Sequence, residues 1–83
     1  MTLAELPTGG SGVLETLDLP EGLAFRLMEL GFLPGTRVVV GRGAPRGDPR
    51  VYLVDGSEVA LRREMALNIH LRPKEAREEE EKP

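Results

Sequence analysis

The chain has no cysteine, no tryptophan and no glutamine, and it has one histidine, His70, and one asparagine, Asn68. Without cysteine there is no disulfide framework and no thiolate metal site, and nothing points to an oxidising compartment. One histidine cannot supply a nitrogen-rich ligand set, so no dedicated transition-metal site is expected. Catalysis needs nucleophiles, bases or metals that converge, and this inventory offers too few of them to predict an enzyme. The aromatic rings are Phe25, Phe32 and Tyr52. They are too few to line a proline-peptide groove or to stack a run of bases. No uncharged apolar run approaches the roughly 20 residues that cross a bilayer. Thr2-Leu3-Ala4-Glu5 lacks the basic and apolar regions of a secretory leader. The expected location is therefore the cytoplasm.

Charge of one sign is also scarce in the body of the chain. Residues 1–73 carry eight arginines against nine acids, while residues 74–83 carry Lys74, Arg77 and Lys82 against five glutamates. A nearly neutral body gives no basic footprint for nucleic acid. The terminal stretch has no apolar side chain larger than alanine and is expected to be a charged, disordered tail. Gly9-Gly10-Ser11-Gly12 resembles a phosphate loop in composition alone, since the lysine and the strand–loop–helix setting are missing. It reads as a turn.

The most informative stretch is Arg26-Leu27-Met28-Glu29-Leu30-Gly31-Phe32-Leu33-Pro34-Gly35-Thr36. It reads as the end of a helix, a left-handed glycine stop at Gly31, and a type II turn centred on Pro34-Gly35. Upstream, residues 13–17 predict a strand, and Asp18-Leu19-Pro20-Glu21 predicts a helix start with Asp18 as N-cap. On a helical wheel Leu19, Leu23, Leu27 and Leu30 fall within about 80° of one another, as one core-facing stripe. Phe25 and Met28 fall on the opposite side, where a surface helix should be polar, and Arg26 lies at the stripe's edge. Downstream, residues 36–42 and 50–54 predict strands joined by a Gly/Pro-rich loop. Asp55-Gly56 predicts a tight hairpin into residues 57–61, because a type I′ turn needs positive φ at both central positions. Residues 62–66 predict one helical turn. Residues 67–72 alternate, with Leu67, Ile69 and Leu71 inward and Asn68, His70 and Arg72 outward.

These elements imply a mainly β fold: a small five-stranded antiparallel barrel with one α-helix inserted after the first strand. The expected core is Val13, Leu27, Leu30, Phe32, Val38, Val40, Val51, Leu53, Val59, Leu61, Ile69 and Leu71. With catalysis, metals and nucleic acid argued against, a protein–protein module remains.

The same central stretch, with Ala44-Pro45, Gly47-Asp48-Pro49, Ala60-Leu61-Arg62 and Ala66, resembles the FeoA family. These are small cytosolic accessory proteins of bacterial ferrous iron transport. The resemblance runs from about Leu3 to Leu71. It implies an SH3-like barrel over residues 1–73, with the tail at 74–83 outside the family pattern. It also implies action on FeoB, the membrane permease with a cytosolic GTP-binding domain, contacted there or at a membrane-proximal surface. The protein would then be recruited to the inner membrane face by its partner, with no membrane insertion of its own. It supplies no catalytic residues, cofactor or metal ligands. The alternative function is a metal-responsive regulatory domain working with a DtxR-type transcription factor.

The expected partner-binding residues are Phe25, Met28, Leu33, Arg26 and Arg46. Phe25, Met28 and Leu33 would form an apolar patch open to water, unless the segment around Leu3 and Leu6 folds across it or it serves self-association. Arg26 has two readings. Either its stem lies along the barrel with the guanidinium on an acid or carbonyls, or it presents its fork to a partner.

Overall fold

The computed structural model describes residues 1–43 and 47–73. Arg46 and the expected tail at 74–83 lie outside the described residues. The strands are β1 (Ser11–Leu17), β2 (Arg37–Gly43), β3 (Arg50–Val54), β4 (Ser57–Leu61) and β5 (Ile69–Leu71). Helix α1 (Glu21–Glu29) follows β1, and a single-turn helix, α2 (Arg63–Ala66), precedes β5. A 3-10 turn, Leu3–Glu5, opens the chain. All strand pairs are antiparallel, in the order β4-β3-β2-β1-β5.

The sheet curls into a small barrel because two strands bend. Leu14 pairs with Leu71 but Thr16 pairs with His70, so Glu15 is an extra residue bulged out of β1. A second shift lies between Val40 and Gly43 on β2. Bulges sharpen local twist and let one strand serve two neighbours. Accordingly β1 gives residues 11–13 to β2 and its C-terminal half to β5. Among the described residues no ladder joins β4 to β5, so the sheet they form has two edges. The β5 edge is covered by the N-terminus: Thr2 bridges to His70, and the Leu71 N–H donates to the Met1 carbonyl at 2.9 Å.

The core joins Leu3, Leu6, Leu14, Leu27, Phe32, Val38, Val40, Tyr52, Val54, Leu61, Ala66, Ile69 and Leu71. Most of the expected core is there, but Leu53, Val51 and Leu30 of that set are not buried, and Leu67 does not point inward as expected. Leu53 points outward, while Tyr52 and Val54 are buried instead; Val51, on the same outer face, is half-buried. The hairpin explains why. Asp55 and Gly56 take φ of 46° and 79°, the two-residue turn pairs Val54 with Ser57, and Tyr52 and Val59 then share the inner face. Leu30 is exposed because it is the C-cap of α1, past the last full turn. Leu67 is exposed because it caps α2 rather than starting β5.

Asp18 is not the cap of α1. The N-cap is Pro20, with no side-chain hydrogen bond, and the Asp18 N–H instead donates to the Asn68 carbonyl at 2.8 Å. That bond extends the β1–β5 ladder past Leu17 and places Asp18 two residues too early to cap. The helix buries Ala24 and Leu27, with Leu23 half-buried. His70 is half-buried between Thr16 and Thr2 rather than standing free on the outer face.

Candidate protein-interaction face

The site is built at the end of α1. Gly31, at φ 112°, closes the helix with a Schellman pair: its N–H donates to the Met28 carbonyl, and the Phe32 N–H donates to the Leu27 carbonyl, each at 3.0 Å. Phe32 and Leu27 are both buried, the apolar contact pair usual in this motif. The chain then turns through Pro34 and Gly35 (φ 92°), closed by the Thr36 N–H on the Leu33 carbonyl at 3.0 Å. Gly35 N–H donates to Leu14 and Leu14 N–H to Thr36, so this turn is locked onto β1. A Cβ at Gly31 would lie 3.0 Å from the Asp55 Cβ, which places the helix stop directly against the β3–β4 hairpin.

This rigid junction leaves apolar side chains in water. Phe25 is 60% exposed, Leu33 47% and Leu30 42%. Met28 is half-buried. Of the expected contact residues, Phe25 and Leu33 are therefore open, and Met28 is partly covered. Leu30 joins the exposed set within the same nine residues. The signal for it was present, since a residue directly before a glycine stop no longer obeys the helical wheel.

The N-terminal segment does not cover this face. Leu3 and Leu6 are buried inside the barrel, and the 3-10 turn packs on α2 and β5. Arg26 is exposed and its guanidinium has no partner among the described residues. That observation goes against the reading in which it ties the helix to the barrel.

A different arginine ties the fold together, one that composition and spacing did not single out. Arg50 Nη1 donates to the Leu6 carbonyl at 2.6 Å, and Nη2 donates to the Leu3 and Ala4 carbonyls at 3.2 and 3.3 Å. Nε and Nη2 also reach the Tyr52 hydroxyl, at 3.3 and 3.0 Å. The guanidinium thus gathers the carbonyls of the N-terminal turn, including that of Leu3, which also accepts the Leu6 N–H at 3.3 Å. Nearby, the Arg63 N–H at the start of α2 donates to Asp48 Oδ1 at 2.9 Å. Between these groups lies a cavity of about 30 Å³ lined by Ala4, Gly47, Asp48, Arg50, Tyr52, Leu61 and Arg63. That is room on the scale of a water molecule, not of a substrate. Among the described residues no three His, Asp or Glu side chains group to hold a metal ion, and no helix is long and apolar enough to cross a membrane.

The FeoA domain model matches residues 1–73. A FeoA protein from Chlorobium tepidum, solved by NMR, is 32% identical and superposes with a TM-score of 0.82 over 87% of this chain and 69% of that one. The zinc-complexed FeoA of Stenotrophomonas maltophilia, described as a prokaryotic SH3 domain protein, is 37% identical with a TM-score of 0.75, covering 87% and 89%. The Porphyromonas gingivalis Fe(2+) transport protein A/Fe(2+) transporter FeoB fusion protein is 35% identical over 71 residues, which is 86% of this chain and 8% of the fusion. The chain thus spans under a tenth of that relative's length. With the family model over nearly the whole described chain and the same SH3-like barrel in its relatives, this chain belongs to the FeoA family.

Proposed function

We propose that the protein is an accessory module of ferrous iron uptake that binds the cytosolic part of a FeoB-type permease. The observation that carries this reading is the Porphyromonas gingivalis fusion, in which a region similar to this chain is joined to the transporter in one polypeptide. Covalent linkage raises the effective concentration of two modules and so favours a contact between them. The docking face is the end of α1, where Phe25, Leu33 and Met28 supply the apolar area and Arg26 a free guanidinium beside it. Aromatic, methionine and arginine side chains are the types enriched in interface cores. Arg46, which lies between β2 and β3 in the sequence, is proposed as a further contact.

The test is binding of the permease's purified cytosolic domain by titration calorimetry, using the native chain and the Phe25→Ser/Met28→Ser double variant. The variant should stay folded and lose at least about 1–2 kcal/mol of binding, the scale of a modest hot spot. A folded variant that binds as well as the native chain would place the contact elsewhere. No binding by the native chain would reject the partner itself.

A further inference from the structure

The two edges of the sheet are treated differently, and the untreated one has a matching partner in itself. On the β5 side, the N-terminus pairs through Thr2 and through the Met1 carbonyl. On the β4 side, the only strand pairing among the described residues is the one to β3. The hairpin turn makes Val54 and Ser57 the closing hydrogen-bonded pair. By the antiparallel alternation, Tyr52–Val59 and Arg50–Leu61 also exchange hydrogen bonds across the hairpin, whereas Glu58 and Ala60 aim their N–H and C=O groups away from it. Those two residues are exposed. The sheet face beside them is apolar for its position: Leu53 is 39% exposed, and Val51 and Val39 are half-buried. An open edge backed by an apolar face is a template for another strand.

The charges along this edge select the strand. β4 follows Asp55, carries Glu58 near its start and runs out into Arg62 and Arg63, so it is anionic at one end and cationic at the other. An antiparallel copy matches that order, and a parallel copy opposes it. We infer that β4 pairs with β4 of a second copy of this chain, antiparallel about a two-fold axis at Val59. In that register Glu58 of each copy exchanges backbone hydrogen bonds with Ala60 of the other. The Arg62 side chain then lies diagonally across from the second copy's Glu58, within reach of a long side chain, and Arg63 approaches its Asp55. A register centred one residue earlier would set Glu58 directly against Glu58, which is unfavourable. The pair joins the two outer faces through Leu53, Val51 and Ala60, giving a ten-stranded sheet. It uses neither Phe25 nor Leu33, so it is independent of the permease reading.

The area of one five-residue strand is small, so association is weak, with a dissociation constant on the order of 0.1–1 mM at the low end of interface sizes. Sedimentation velocity of the full chain across that range should show exchange between one and two copies. Glu58→Arg should weaken the association about tenfold by facing cations with cations, and Glu58→Arg combined with Arg62→Glu should restore it. Ala60→Pro removes an N–H that the hairpin does not use, an edge position that tolerates proline, and should abolish association while the monomer keeps its circular dichroism. If Ala60→Pro unfolds, the charge swap decides. The proposal is overturned by a monomer throughout the range, by association indifferent to Glu58→Arg, or by association lost in Phe25→Ser instead.

Discussion

Replacing Arg50 with methionine keeps an unbranched stem of similar reach and deletes the guanidinium, so it isolates the clamp from the packing around it. The head group serves the carbonyls of Leu3, Ala4 and Leu6 and the Tyr52 hydroxyl. A hydrogen bond to a charged group contributes about 1.5–3 kcal/mol. These five bonds to four acceptors do not add, because Nη2 is shared among three of the acceptors at 3.0–3.3 Å. The short bond to Leu6 and the one to Tyr52 count most, and the half-buried head group retains some access to water. The loss should therefore come to about 2–3 kcal/mol, net of water replacing the weaker bonds. In a domain of this size, that lowers Tm by roughly 10–20 °C. Urea unfolding followed by circular dichroism measures the global term. Amide exchange at Leu71, whose N–H donates to the Met1 carbonyl, reports whether the N-terminal segment lifts off first. A midpoint within about 0.5 kcal/mol of the native chain, with Leu71 still protected, would refute the clamp, since that is the scatter of an inert surface change.

Two further outcomes follow from backbone and charge. Gly31→Ala should cost about 2–3 kcal/mol, because its positive φ strains an L-residue and its Cβ would press on Asp55. Gly56→Ala, also at positive φ but with nothing within 4 Å, should cost about half as much; equal losses in chemical denaturation would show that the approach to Asp55 is immaterial. Glu5 accepts the Thr2 N–H at 2.9 Å, and that bond holds its carboxyl below the ordinary carboxylate range. Its contribution is therefore present above the ordinary carboxylate range and lost as pH falls through the depressed value. Glu5→Gln should unfold earlier than the native chain at neutral pH, with the two midpoints converging only once the pH has fallen below the depressed value of Glu5.

The junction around Gly31 was legible because backbone chemistry leaves few options: a left-handed stop, then proline, then a second positive φ. The Asp55-Gly56 hairpin was legible for the same reason. The facing of β3 was not read correctly, although the information was present. Once a two-residue turn joins Val54 to Ser57, an inward Val59 requires an inward Tyr52, and Leu53 must point out. Apolar character had favoured Val51 and Leu53 over a tyrosine. The hydroxyl of Tyr52 is buried because Arg50 meets it, a partnership two residues apart that hydrophobic patterning does not register. In the candidate site, Phe25 and Leu33 followed from the helical wheel and the turn. Leu30 did not, because a wheel extrapolates past the point where the helix ends. Neither could the wheel show that Leu3 and Leu6 enter the core, since that depends on a clamp 44 to 47 residues away.

The pairing of β1 with β5 joins Leu14 to Leu71 and Leu17 to Ile69, the first strand of the chain to the last. Contacts so distant in sequence must wait for nearly the whole domain to exist, and the loop-closure entropy they cost slows folding. On the ribosome, α1 and the β3–β4 hairpin have local contacts to hold them, but Leu14, Leu3 and Leu6 have no finished core to enter until Ile69 and Leu71 have emerged. The barrel is therefore completed from its C-terminal end, and until then its interior surface is open to chaperones or to a neighbouring nascent chain.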